Sequence, residues 1–126
     1  INCIILFKRV NERILLVEME EMQKIVDDYI CQFKVGYFSP LALMARVTEE
    51  VGELAREINH YYGEKQKKSS EDEKEIAEEL ADVLFIVITM ANSLDIDLTE
   101  AFKQTMEKFE TRDKYRFERV DEKTSE

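Results

Sequence analysis

Two pairs of acids, Glu50 with Glu53 and Glu79 with Asp82, are the residues of this chain best spaced to do chemistry. A separation of three places each pair on one side of a helix, and two such helices packed antiparallel would bring four carboxylates together. Like charges about 4 Å apart repel by roughly 1 kcal/mol per pair in water and by several times more in a partly dried cleft. Arg46 is a single cation, and no run of Lys or Arg on either segment balances four acids. A bound divalent metal is the economical remedy. All-oxygen ligation suits Mg²⁺ or Mn²⁺, and Mg²⁺ commonly completes its octahedron with waters and phosphate oxygens. Further on, Lys108 and Arg112 stand four residues apart. They could hold phosphate, or simply complement the dipole at a helix C-terminus. The plainer alternative for Glu50, Glu53 and Glu57 is a solvated helix face, which is what acids at this spacing usually form.

The elements that must carry these residues read as four helices. Met22, Ile25, Val26, Tyr29, Ile30 and Phe33 recur at three and four, which predicts a first helix from about Glu20 to Lys34, ended by Gly36. Ser39-Pro40 is an N-cap followed by proline at the first helical position, and it opens a second helix that Gly63 stops after Tyr62. On this helix Leu43, Met44, Val47, Val51, Leu54 and Ile58 should face the core, with Arg46, Glu50, Glu53 and Glu57 beside them and Glu49 further out. The polar stretch 64–69 reads as a loop. Ser70 with Glu73 forms a capping box that should start a third helix reaching about Leu94, with Glu75, Glu79 and Asp82 on one stripe. Its second half, Val83 to Ala91, is apolar nearly all round and should be enclosed by neighbours. Asp97 and Glu100 signal a fourth helix from Leu98 to about Phe117, whose apolar edge is Leu98, Phe102, Met106 and Phe109.

Composition narrows the class. The 126 residues make one domain, and 44% apolar residues are enough for a core. Three glycines and one proline are too few for the corners of a β-sandwich or barrel, so an all-α bundle is expected. A formal charge of −10 argues against nucleic acid and anionic membranes as partners. Cys3 and Cys31 form neither a CxxC pair nor a disulfide framework, which suggests a reduced, cytoplasmic protein. Residues 1–18 begin with Ile rather than Met and are expected to be an upstream extension, with Met19 or Met22 as the start, or else a short extra element packed on the body. Residues 19–117 would be the domain and 118–126 a charged tail. A di-iron carboxylate bundle needs Glu-x-x-His on two helices, and His60 is the single histidine.

The ordered set Glu49-Glu50-Val51-Gly52-Glu53, then Glu79-Leu80-Ala81-Asp82, then Lys108-Phe109 with Arg112, resembles the MazG family of nucleoside triphosphate pyrophosphohydrolases, in its short single-domain bacterial form. The likeness spans about Met22 to Phe117 and carries the family's EExxE and ExxD motifs intact. It implies an all-α four-helix unit in which Glu50, Glu53, Glu79 and Asp82 hold Mg²⁺, with Mn²⁺ a possible substitute. Glu49 would take a further metal or orient water, and Lys108 and Arg112 would contact phosphate. The implied reaction cleaves an NTP or dNTP between the α and β phosphates, in a homodimer or homotetramer whose active sites lie near the interface. Phe38, Tyr61, Tyr62, Phe85 and Asn92 are candidates for base recognition, although burial in the core is the ordinary fate of such aromatics. The alternatives are a related all-α enzyme, dUTPase-like or phosphoribosyl-ATP pyrophosphohydrolase-like, and a non-catalytic helical dimerisation module. An apolar third helix in so small a chain itself suggests a second copy to cover it.

Overall fold

The computed structural model describes residues 18–65, 67–68 and 74–120. Four helices follow in order: α1 (Met19–Cys31), α2 (Pro40–Tyr62), α3 (Ile76–Ser93) and α4 (Leu98–Arg112), and there is no strand among the described residues. The expectation for residues 1–18 falls outside the described residues except for Glu18, and that for 118–126 is described only as far as Val120.

Local signals set several of the boundaries. The Ser39 hydroxyl accepts a hydrogen bond from the Ala42 amide at 3.3 Å, and Pro40 takes the first helical position. Asp97 caps α4 by accepting from the Thr99 and Glu100 amides. At the end of α2, the Gly63 amide donates to the Asn59 carbonyl. A Cβ at Gly63 would stand 2.6 Å from that same carbonyl oxygen. Gly63→Ala should therefore cost about 1–3 kcal/mol through forced displacement of backbone, read as a lower denaturation midpoint at unchanged slope.

Three boundaries differ from the sequence reading. α1 stops at Cys31, and Gly36, at φ +60°, serves the turn that follows, where its amide bonds the Phe33 carbonyl. α4 ends at Arg112, and 113–117 form turns rather than helix. α3 begins at Ile76 with Glu75 as an extended N-cap residue, so Lys74 and Glu75 precede the helix. The Ser70–Glu73 capping box lies outside the described residues.

α3 is the central element, packed against both α1 and α2, while α4 rests mainly on α1. Both pairings with α3 are antiparallel: Gln23 meets Asn92 and Tyr29 meets Phe85, while Glu53 lies near Glu79 and Leu43 near Ile86. The first pairing is pinned by polar groups. Gln23 Nε2 donates to Asn92 Oδ1 and to the Ile96 carbonyl, Gln23 Oε1 accepts from the Leu98 amide, and Asn92 Nδ2 donates to the Gln23 carbonyl, all at 2.8–2.9 Å.

Among the described residues the core consists of Val26, Leu43, Ile86, Ile88 and Ala91 with Thr89, whose hydroxyl bonds the Phe85 carbonyl. The expected core face of α2 is corrected accordingly: Met44, Val51 and Ile58 are 51%, 47% and 41% exposed, and buried Glu57 takes an inner place. At about 100° per residue Glu50 and Glu57 lie within about 40° of Leu43, whereas Met44, Val51 and Ile58 lie about 60–100° to one side. The face meeting α3 is thus partly acidic, and the apolar stripe looks away. On α3, Leu84, Phe85 and Val87 are likewise exposed, so the other described residues do not enclose that helix.

Candidate metal centre

Packing α2 against the N-terminal turn of α3 brings Glu50, Glu53 and Glu79 together. One carboxylate oxygen of each lies within 4.8 Å of the others. Two unit charges 5 Å apart repel by roughly 3 kcal/mol at an effective dielectric of 20. Glu79 is completely buried, and neither of its oxygens accepts a hydrogen bond among the described residues. A buried carboxylate without donors is costly unless a cation serves it. Hard oxygen donors gathered around such a group are a set that a divalent ion fits.

The remaining acids take different positions. Asp82 is half-buried and close enough to Glu50 to act on its charge, but it is not among the three converging carboxylates. Glu49 is exposed, with its Oε2 3.4 Å from Arg46 Nη1, and the other arm of the same guanidinium reaches Glu50 Oε1 at 3.1 Å. Burial holds the Glu50 carboxyl above the ordinary carboxylate range; Arg46 pulls it back, while Asp82, Glu53 and Glu49 push it further up. The folded state therefore binds this proton more tightly than the unfolded chain does. Stability contributed by Glu50 should decline as pH rises from the ordinary carboxylate value through the raised one, and then level off. Urea melts in EDTA across the mildly acidic range should show this decline, and Glu50→Gln should flatten it.

One participant was not expected from the sequence. Lys74, just before α3, places its ammonium 3.0 Å from Glu53 Oε2, as a hydrogen bond, and 3.2 Å from Glu79 Oε1 as an ion pair. The hydrogen bond to Glu53 first, and then the close contact with Glu79, hold its pKa well above the usual lysine range. A helix starting at Ser70 would have put Lys74 five residues before Glu79 on another face, which is why the spacing did not reveal it. Lys67 does a similar service for buried Glu57, with its ammonium 3.3 and 3.4 Å from the two carboxylate oxygens and His60 Nδ1 3.6 Å from one of them.

Lys108 and Arg112 sit apart from this cluster. Both flank the Phe109 ring on α4, and the Arg112 guanidinium makes a two-pronged contact with Asp113 at 3.0 and 2.9 Å. Among the described residues neither forms an ion pair with Glu50, Glu53 or Glu79.

Beside the acids, an apolar cleft of about 240 Å³ opens between α1, the α1–α2 turn and α3. Tyr29, Phe33, Phe38, Phe85 and Thr89 line it, and Arg46 links its rim to Glu50. Of the five base-recognition candidates it contains Phe38 and Phe85; Tyr61 and Tyr62 are exposed near the end of α2, and Asn92 is committed to Gln23. Nearby, the Tyr37 hydroxyl donates to Asp27 at 2.7 Å, and burial together with this bond pushes its pKa up to about 12.

Residues 38–117 match the MazG nucleotide pyrophosphohydrolase domain family. The chain belongs to the MazG family. Its relatives include YpjD of Bacillus subtilis strain 168, which is 62% identical over 104 residues, covering 82% of this chain and 94% of that protein. The crystal structure of Bacillus subtilis YpjD superimposes with a TM-score of 0.68 at 57% identity, over 81% of this chain and all of the other. A Bacillus-conserved MazG protein, a nucleotide pyrophosphohydrolase, superimposes with a TM-score of 0.66 at 63% identity, over 75% of this chain and 92% of the other. The four-helix MazG architecture expected from the sequence is the one observed. In this MazG domain the EExxE and ExxD segments lie on α2 and α3, and Gly52 leaves open space on the helix between Glu50 and Glu53. Among the described residues, no helix is long and apolar enough to cross a membrane.

Proposed function

We propose that this MazG domain hydrolyses nucleoside triphosphates between the α and β phosphates, releasing the monophosphate and pyrophosphate, with Mg²⁺ (or Mn²⁺) held by Glu50, Glu53 and Glu79 and with Asp82 beside them. The observation that carries the reading is the buried Glu79 carboxylate, whose oxygens accept no hydrogen bond of good geometry among the described residues, which faces two further acids and has the half-exposed Lys74 ammonium 3.2 Å away. A divalent ion there would polarise phosphoryl oxygens, acidify bound water and balance charge on the leaving pyrophosphate. Arg46 contacts both Glu49 and Glu50, and exposed Glu49, whose 3.4 Å contact with Arg46 uses one oxygen, keeps its other oxygen for water and its proton. The apolar cleft bounded by Phe38 and Phe85 accepts the base, with Arg46 between it and the acids. Removal of unwanted nucleotides from the pool is the role that fits such a reaction.

Lys108 and Arg112 enter this scheme as phosphate ligands delivered by a second copy. The exposed apolar residues of α2 and α3, with Phe102, Met106 and Phe109 of α4, supply surface for a homodimer or homotetramer. Light scattering at micromolar concentration should report more than a monomer.

A panel of NTPs and dNTPs with Mg²⁺, resolved by product, tests the chemistry. Monophosphate and pyrophosphate are expected. Diphosphate and orthophosphate would reject α–β cleavage, and no turnover of any nucleotide would favour a non-catalytic dimerisation module.

A further inference from the structure

We infer that Lys74 is a built-in competitor for the divalent cation: its ammonium occupies the acid cluster in the metal-free protein and must leave when metal binds, which weakens metal affinity. The inference rests on the metal-site reading above. Lys74 bridges two of the three converging carboxylates, at 3.0 and 3.2 Å from Glu53 and Glu79. Those two acids, with Glu57 and Arg56, line a small recess of about 240 Å³, and the lysine side chain enters it from the segment before α3 while staying 39% exposed.

The geometry sets the two cations in competition. Lys74 engages one oxygen each of Glu53 and Glu79, two of the three acids that would hold a divalent ion, and an ammonium left in place would stand within a few ångströms of a doubly charged ion and repel it. Lysine suits such a role because its charge is a compact point on a flexible stem that can swing away. The benefit to the metal-free state is equally plain, since neither Glu79 oxygen accepts a hydrogen bond of good geometry among the described residues and the Lys74 ammonium stands 3.2 Å from one of them. Lys74 thus keeps an otherwise repulsive cluster assembled, and it makes occupancy of the site respond to metal concentration rather than saturate at traces.

The test is direct titration of the nucleotide-free protein with Mn²⁺, read by calorimetry and by the electron paramagnetic resonance signal of free ion. Wild type, Lys74→Met and Lys74→Arg are compared, with Glu53→Gln as the control that should lose binding. Lys74→Met is expected to bind Mn²⁺ at least fivefold more tightly and to melt at a lower temperature in EDTA. Lys74→Arg, which restores a cation with a broader grip on carboxylates, should bind Mn²⁺ no more tightly than wild type. Should Lys74→Met fail to fold without metal, the arginine variant decides: tighter Mn²⁺ binding than wild type overturns the inference. Equal or weaker binding by Lys74→Met overturns it while leaving the metal site intact. Absence of Mn²⁺ binding in wild type overturns both.

Discussion

Glu53→Gln is expected to abolish pyrophosphate release, with a loss of at least a hundredfold in turnover and a metal-free fold that melts at or slightly above the wild-type temperature. The side chains are nearly the same size, so what disappears is charge. Loss of a single preorganised electrostatic group commonly costs about 10²–10³ in rate, and Glu53 would be a direct ligand. Stability should move the other way because Glu53 belongs to a cluster of three acids within 4.8 Å, and removing one relieves its repulsion with the other two. The Lys74 hydrogen bond survives, since the Gln carbonyl oxygen accepts as the carboxylate did. Product assays with Mg²⁺ and thermal melts in EDTA, run on one preparation, check both halves. Retained activity would sink the metal-site assignment.

The second large effect concerns Glu79. Glu79→Met should stabilise the metal-free protein by about 1–3 kcal/mol, because a buried carboxylate whose cationic contact is a half-exposed lysine gives way to an apolar chain of similar volume, while Lys74 keeps its hydrogen bond to Glu53. Calorimetry in EDTA should show a melting temperature several degrees higher. Added Mg²⁺ should raise the melting temperature of wild type by mass action and leave that of the variant unmoved. A destabilised variant would mean that the carboxylate is held by favourable interactions, and the argument from its isolation would fail.

What the sequence could reveal follows from the range of the forces involved. α2 is legible at both ends because Ser39, Pro40 and Gly63 act within one turn, through a cap, a fixed φ and a close approach to Asn59. The pairing of Glu50, Glu53 and Glu79 is legible because helical spacing and an antiparallel hairpin determine it. The start of α3 is less so: Glu75 takes the cap position without a side-chain hydrogen bond of its own. That displaced start hid Lys74. The exposure of Met44, Val51 and Ile58 escaped for a related reason. An apolar stripe signals burial but not against what, and in one chain the inner side of α2 is set by Leu43 and the acids. Lys108 and Arg112 expose the same limit, because their spacing suits phosphate yet says nothing about where α4 will carry them.

The clasp between Gln23 and Asn92 acts as the zero mark of a ruler. Two helices joined only by apolar side chains can slide by one turn, about 5.4 Å, with modest change in contact. Here one glutamine is tied at once to Asn92, the Ile96 carbonyl and the Leu98 amide, so any slip would break several hydrogen bonds together. Seven residues along α3 from Asn92, and so about 10 Å away, Phe85 meets Tyr29 of α1 edge to face across the apolar cleft. The width of that cleft is therefore calibrated from a point outside it, and two relatives with identical cleft residues could differ in cleft width through a change at position 23 or 92 alone.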